Sequence, residues 1–362
     1  MVNNVVFIVG AIQQPRVIKR ILSIKNAGFN VKVYGYQRPS YRCNTLPEDI
    51  DLTLLGELPD GSGLSMKLKK YRKDISTIVR QHNDGSTLFY CFNLIFSTMV
   101  KHYGGRYAYE ISDILYAYPK FKYVLPVLKW HDKRIVKSSE FTVMTSQGFS
   151  DFLFGTDAPS NIVIQPNKLS TYFEGIERKP TTFSCGKIRF AFVGQVRYKE
   201  TVFRFARLIG EKFQEHEFHF FGDGILGKEA KELAEKFANV YFHGAYKNPD
   251  DLASIYNQVD VLVSCYETHT QNERIAENNK LYEALFFCKP IIVSNNTFLV
   301  KRVNQYRCGF CIDPYSDESM VSFIKSLDPK ELSEISSREF ELDKSEAIDN
   351  PNNLIKQIQT LK

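Results

Sequence analysis

The stretch "IRFAFVGQVRYKETVFRFARLIGEKFQEHEFHFFGDG", Ile188 to Gly224, reads as a strand, a turn, a helix and a second strand. One apolar run ends at Gly194, a helical stretch follows near residues 201–213, and the next apolar run ends at Gly222. Strands joined by a helix are the repeating unit of parallel α/β sheets. Downstream the unit repeats as "VYFHG", "VDVLVSC", "KPIIVS" and "GFCID", with helices near 228–238, 250–257, 279–287 and 317–326. Upstream it appears as "VVFIVG" at 5–10, "NVKVYGY" at 30–36, "STLFYC" at 86–91, "RYAYEI" at 106–111, "FTVMTS" at 141–146 and "NIVIQP" at 161–166. A helix from Pro15, with Val17, Ile18, Ile21 and Leu22 on one face, stops at Gly28. The pattern therefore predicts an α/β protein of two doubly wound, Rossmann-like domains facing a cleft, over 1–174 and 187–345, joined by a polar linker at 175–186. A last helix within 346–362 is expected to return to the first domain.

A chain of 362 residues with 43% hydrophobic content can bury two sizeable cores. No apolar run reaches the roughly 18 to 20 residues that cross a bilayer, and the start lacks a basic segment with a cleavage site, so a cytoplasmic protein is expected. Seven scattered cysteines fit a reducing compartment, and the pair Cys308 and Cys311 reads as structural. Residues 1–170 hold 22 Lys and Arg against 13 Asp and Glu, whereas 171–362 hold 25 against 28. The basic half should face something anionic. Its densest run supplies Lys67, Lys69, Lys70, Arg72 and Lys73, which suits an anionic membrane surface. Nothing beside that charge resembles a nucleic-acid-binding motif.

Gly222, Gly224 and Gly227 have the spacing G-x-G-x-x-G of a dinucleotide-binding turn. Such a turn should be the first of its domain, and an acid should end the next strand. Here a whole βα unit precedes it, and no acid appears before Asp250. The three glycines are therefore read as a supporting turn, and a nicotinamide enzyme as a distant alternative.

The first turn of the second half carries Gly194, Arg197 and Lys199, two cations on a loop entering a helix, which could neutralise a diphosphate without a metal ion. Glu283 sits in a helix among Leu281, Ala284, Leu285 and Phe287, so its carboxylate needs partners, and two vicinal ribose hydroxyls would serve. Asn279 and Lys280 open that helix, where backbone donors and the dipole suit phosphate.

In this order, "FAFVGQVRYKE", "FHFFGDGI", "NVYFHGAY", "LASIYNQVDVLVSCYE", "NNKLYEALFFCKPIIVS" and "CGFCIDPYSDE" resemble the donor half of GT-B glycosyltransferases, most like glycosyltransferase family 4. Weaker echoes lie in "YEISDI", "FTVMTSQGF" and "IVIQPNKLS" of the first half. The resemblance implies a nucleotide diphosphate against Arg197, Lys199, Asn279 and Lys280, ribose on Glu283, and the base near Gly222 and Gly244, Ala245 and Tyr246. It also implies retention of anomeric configuration, no metal and no cofactor. The family's first glutamate of E-x7-E falls on Ile275, with Glu277 or Glu273 as substitutes. On the acceptor side it implies Gly10, Glu110, Ser112 and Asp113, with Asp113 or Glu110 orienting substrate.

The expected reaction moves a sugar from a nucleoside diphosphate sugar to a hydroxyl of a glycan or lipid-linked acceptor in cell-surface polysaccharide synthesis. Arg197 and Lys199 would stabilise the leaving diphosphate. A nucleotide-sugar epimerase and a catalytically silent glycan- or nucleotide-sugar-binding subunit are the rival readings.

Overall fold

The computed structural model describes residues 1–38, 46–57, 63–183 and 186–362. It divides into two units, Met1–Pro166 with Asn350–Lys362, and Asn167–Asp349.

The first unit is built on seven parallel strands, β1 (Asn4–Val9), β2 (Asn30–Gln37), β3 (Asp51–Glu57), β4 (Thr87–Cys91), β5 (Tyr107–Ile111), β6 (Phe141–Met144) and β7 (Ile162–Ile164). They lie in the order β3-β2-β1-β4-β5-β6-β7, so the winding reverses between β1 and β4. The connecting helices are α1 (Pro15–Asn26), α2 (Leu64–His82), α3 (Leu94–His102), α4 (Leu125–Ser138) and α5 (Gln147–Phe154). Val5, Phe7 and Val9 pack with Val17, Ile21 and Ile24 of α1. α2 to α5 pack in sequence, each against the next.

The second unit has six parallel strands, β8 (Arg189–Val193), β9 (Glu217–Phe221), β10 (Val240–Gly244), β11 (Val261–Ser264), β12 (Ile291–Ser294) and β13 (Gly309–Ile312), in the order β10-β9-β8-β11-β12-β13. Its helices are α6 (Val202–Lys212), α7 (Gly227–Lys236), α8 (Leu252–Tyr256), α9 (Gln271–Ile275), α10 (Asn279–Phe287), α11 (Leu299–Tyr306), α12 (Asp317–Ser326) and α13 (Pro329–Glu341). Along β8, Phe190 and Phe192 join one core while Ala191 and Val193 join the other. Both sheet faces are buried, so the strand reads as one apolar run without alternation.

The chain then returns to the first unit as α14 (Asn352–Gln359), where Leu354, Ile355 and Ile358 enter the same core as β1 and α1. Both sheets have the doubly wound order expected of Rossmann-like units. Residues 167–183 and 186, placed by the sequence in the end of the first domain and the linker, cluster with the second unit. Cys91, Cys265, Cys288, Cys308 and Cys311 are free thiols, Cys308 fully buried and Cys311 half-buried; Cys43 and Cys185 lie outside the described residues. Among the described residues, no helix is long and apolar enough to cross a membrane.

Candidate functional site

In an open α/β sheet, ligands gather where the strand order reverses, beyond the carboxyl ends of the strands. In the second unit that point lies between β8 and β11. The turns ending β8, β9 and β10 are laced backbone to backbone there. Gly194 N donates to Phe221 O at 2.8 Å, Val196 N to Asp223 O at 3.1 Å, and Gly222 N to Gly244 O at 2.8 Å. A Cβ at Gly222 would stand 1.8 Å from Gly194 O, and its φ is +133°; one at Gly224 would stand 2.6 Å from Val196 O. The glycine fingerprint thus lets one strand-end turn lie on another, as a support for the β8 turn.

α10 points its start at the same place. Asn278 caps the helix by accepting from Leu281 N at 3.2 Å, and its amide donates to Ser264 Oγ, at the end of β11, at 3.0 Å. At the other end Arg178 donates to Leu285 O at 3.1 Å and Phe286 O at 3.2 Å, satisfying two orphan carbonyls. Between these anchors, Lys280 Nζ lies 2.7 Å and 2.6 Å from the two oxygens of Glu283. Asn279 Nδ2 donates to Glu283 Oε1 at 2.6 Å and the Tyr256 hydroxyl to Oε2 at 2.7 Å. Both charged side chains are nearly out of water, at 7% and 1% exposure. Burial alone would pull the Lys280 ammonium down, but the facing Glu283 carboxylate outweighs it and the net shift is upward, so Lys280 is a permanent cation. Its stem passes the β8 turn, with Cε 3.5 Å from where a Cβ on Gly194 would be. Its Nζ also lies 3.5 Å from the Tyr246 hydroxyl.

Arg197 and Lys199 are both exposed on the loop after Gly194. Arg197 lies over the Tyr198 ring at 4.9 Å and donates to its hydroxyl at 2.7 Å, and Tyr198 stacks on Tyr266 at 4.4 Å. Tyr198 and Tyr266 therefore form a wall beneath the guanidinium. Ala245 is exposed and Tyr246 half-buried on the loop after β10. The structure thus gathers Gly194, Gly222, Tyr246, Asn279, Lys280 and Glu283. It adds Tyr256, which the sequence pattern did not flag: a tyrosine among the apolar positions of a short helix looks like ordinary core.

The substitutes for the first glutamate are otherwise engaged. Arg302 Nε donates to Glu277 Oε1 at 2.9 Å and Nη2 to Oε2 at 3.3 Å, and the Tyr282 hydroxyl also donates to Oε1. Glu277 is buried and charge-neutralised, because Arg302, 25 residues on in sequence, folds back to it on α11. Glu273 accepts from Thr270 Oγ1 at 2.8 Å while Thr270 Oγ1 accepts from Glu273 N at 3.2 Å, a reciprocal cap that starts α9. Ile275 is half-buried at the end of that helix.

In the first unit, Glu110 does not face solvent. It is fully buried on β5, accepting from Arg20 Nε at 3.0 Å and from the Tyr90 hydroxyl. Its carboxylate is held in a buried ion pair with Arg20 inside the sheet. Ser112 is half-buried and Asp113 exposed beyond the end of β5, while Gly10 follows β1 and its carbonyl accepts from Arg38 Nε at 3.1 Å. On α2, Lys69, Arg72 and Lys73 are exposed, Lys67 is half-buried, and Lys70 pairs with Asp74 at 3.1 Å.

Residues 174–336 match the family model described as glycosyl transferases group 1. No curated protein matches the chain in sequence. Among solved structures, WaaG, a glycosyltransferase involved in lipopolysaccharide biosynthesis, is 16% identical with a TM-score of 0.70, covering 98% of this chain and 100% of its own. HepE of Anabaena, solved in complex with UDP, is 14% identical with a TM-score of 0.68, covering 98% of each chain. Sucrose-phosphate synthase of Thermosynechococcus elongatus is 12% identical with a TM-score of 0.71, covering 99% of this chain and 98% of its own. The strand orders and the continuity of the match along the chain agree: this chain has the GT-B fold, and residues 174–336 of its second unit match the glycosyl transferases group 1 model.

Proposed function

We propose that the chain transfers a sugar from a nucleoside diphosphate sugar to a hydroxyl of a glycan or lipid-linked acceptor, with retention and without a metal ion, in cell-surface polysaccharide synthesis. The observation that carries the donor site is the buried pair of Lys280 and Glu283 beside the β8 turn. A carboxylate offers about four lone-pair positions. Two on Glu283 are filled by Asn279 and Tyr256 and the others by the Lys280 ammonium. A diphosphate between Lys280, Arg197 and Lys199 competes for that ammonium and leaves one position free on each oxygen, which matches two vicinal ribose hydroxyls. The nucleotide complexes printed for HepE, with UDP and with UDP-glucose, support this reading.

In the transfer step, the bond from the anomeric carbon to the β-phosphate oxygen breaks as the acceptor oxygen bonds to that carbon. The acceptor proton passes to a phosphate oxygen, and the three cations stabilise the charge gathered on the diphosphate. Asp113 orients the acceptor. The test is calorimetry with UDP, GDP, ADP and CMP on the wild type and on a variant carrying both Arg197→Ala and Lys199→Ala. Affinity for one nucleoside diphosphate should fall by about two orders of magnitude, since each lost charged hydrogen bond costs roughly 1.5 kcal/mol or more, with folding unchanged because both side chains are exposed. Unchanged affinity would remove the assignment. A second reading, a catalytically silent nucleotide-sugar-binding subunit, is favoured by Ile275 and by the engagement of Glu277 with Arg302. Release of free sugar from the bound donor separates the two.

A further inference from the structure

The segment that follows β5 holds a concentrated set of exposed apolar side chains. Tyr123 is 85% exposed, Val127 64%, Leu115 59%, Trp130 56% and Val124 47%. Val127, Trp130 and Arg134 follow one another at i, i+3 and i+7 on α4, opposite the buried Asp132, Ile135 and Val136. Exposed apolar residues scattered singly need no explanation, but a contiguous stripe on a convex helix does.

Cations frame that stripe. Lys122 lies 4.7 Å over the Tyr123 ring, Lys120 5.0 Å over Phe121, and Arg134 4.8 Å over Trp130. Lys137 is exposed as well, Lys129 and Lys133 are half-buried over Phe152 and Phe154 of α5, and the one acid of Pro119–Ser138, Asp132, is buried. The exposed face of this segment is therefore apolar and positive, with no carboxylate of its own. A second copy of the chain is a poor occupant, because two-fold pairing of the patch would bring its cations face to face. An anionic bilayer meets both requirements at once: Tyr and Trp rings settle at the headgroup level, Val127 enters the acyl boundary, and lysine and arginine heads reach lipid phosphates.

We propose that the turn from Pro119 and helix α4 form the face by which this protein docks on an anionic phospholipid surface. The run Lys67 to Lys73 on α2 has the charge but not the apolar part: of its exposed side chains only the neighbouring Met66 is apolar, and Lys70 is tied to Asp74. Docking by α4 is independent of the donor chemistry proposed above.

Trp130 is the chain's single tryptophan, so the unlabelled protein reports on its own insertion. Titrated with vesicles of phosphatidylcholine containing phosphatidylglycerol, its emission should shift to the blue and become protected from acrylamide; vesicles of phosphatidylcholine alone should give neither change. Tyr123→Ser with Val127→Ser, and separately Lys120→Glu with Lys122→Glu and Arg134→Glu, should each lower partitioning about tenfold or more, the charge variant losing its salt dependence. Lys69→Ser with Arg72→Ser and Lys73→Ser on α2 should stay within about threefold of wild type. Melting curves of all variants confirm that these exposed changes leave the fold in place. The proposal fails if Trp130 emission is unchanged at saturating phosphatidylglycerol, or if the α2 variant loses binding while the α4 variants keep it. It also fails if light scattering shows a dimer that depends on Tyr123 and Val127 and no vesicle binding occurs.

Discussion

Lys280 and Glu283 stand one turn apart on α10, and each is the other's main reason for being charged out of water. Removing one partner of such a pair costs more than the pair is worth, because the remaining charge is stranded. Glu283→Ala should therefore destabilise the second unit by about 3 kcal/mol or more, read as a lower denaturant midpoint. Glu283→Gln keeps an acceptor for Asn279 or Tyr256, and should melt closer to wild type than the alanine variant while losing nucleoside diphosphate affinity. Equal melting of the two variants would mean the ammonium is not buried with the carboxylate. Gly222→Ala places a methyl against Gly194 O at a φ of +133° and should destabilise by about 2 kcal/mol or more. The need of Glu283 for partners was legible from its apolar neighbours. Tyr256 and Arg302 were not, since they reach Glu283 and Glu277 from other helices and no local spacing records that.

At the scale of elements, α4 joins an exposed face to a buried carboxylate. Burial pushes the Asp132 carboxyl up to about 6, against hydrogen bonds from Tyr116 and Tyr109 that pull it down. The folded protein thus holds this proton more tightly than the unfolded chain, whose aspartate titrates near about 3.9. The contribution is fully present below about pH 4 and is lost as pH rises through about 6, so at neutral pH the ionised group costs stability. Asp132→Asn, neutral throughout, should gain on the wild type as pH rises from about 4.5 to about 7.5, by about 2 kcal/mol at the upper end. Paired urea titrations check it, and a gap independent of pH would refute the buried titration. Other elements show where sequence patterns run out. β3 escaped because an edge strand, with Leu54 exposed on it, lacks the continuous apolar run of buried parallel strands. α9 escaped because five residues held by one reciprocal cap present no helical period.

At the scale of the molecule, the two strand orders were implicit in the alternation of strands and helices, because right-handed crossovers leave few ways to wind it. The assignment of residues 167–183 was not, because Leu169 bridges to Ile348, a partner 179 positions away. α14 is the other long-range closure. Leu354 is fully buried in the first unit's core, so Leu354→Ala should cost about 2–5 kcal/mol. Hydrogen exchange should show the loss in β1 and β4 and not in β8 or β11; equal loosening of both sheets would mean that the units do not unfold separately.

The return of α14 also sets a timetable for biosynthesis. A ribosome adding about 5 to 20 residues per second must complete Asn167–Asp349 after the first seven strands have emerged, which takes on the order of ten seconds or more. Throughout that interval the surface that Leu354, Ile355 and Ile358 will cover stays open on the nascent first unit. That open patch, absent from the finished protein, is where a chaperone would engage the chain and where a stalled product would aggregate.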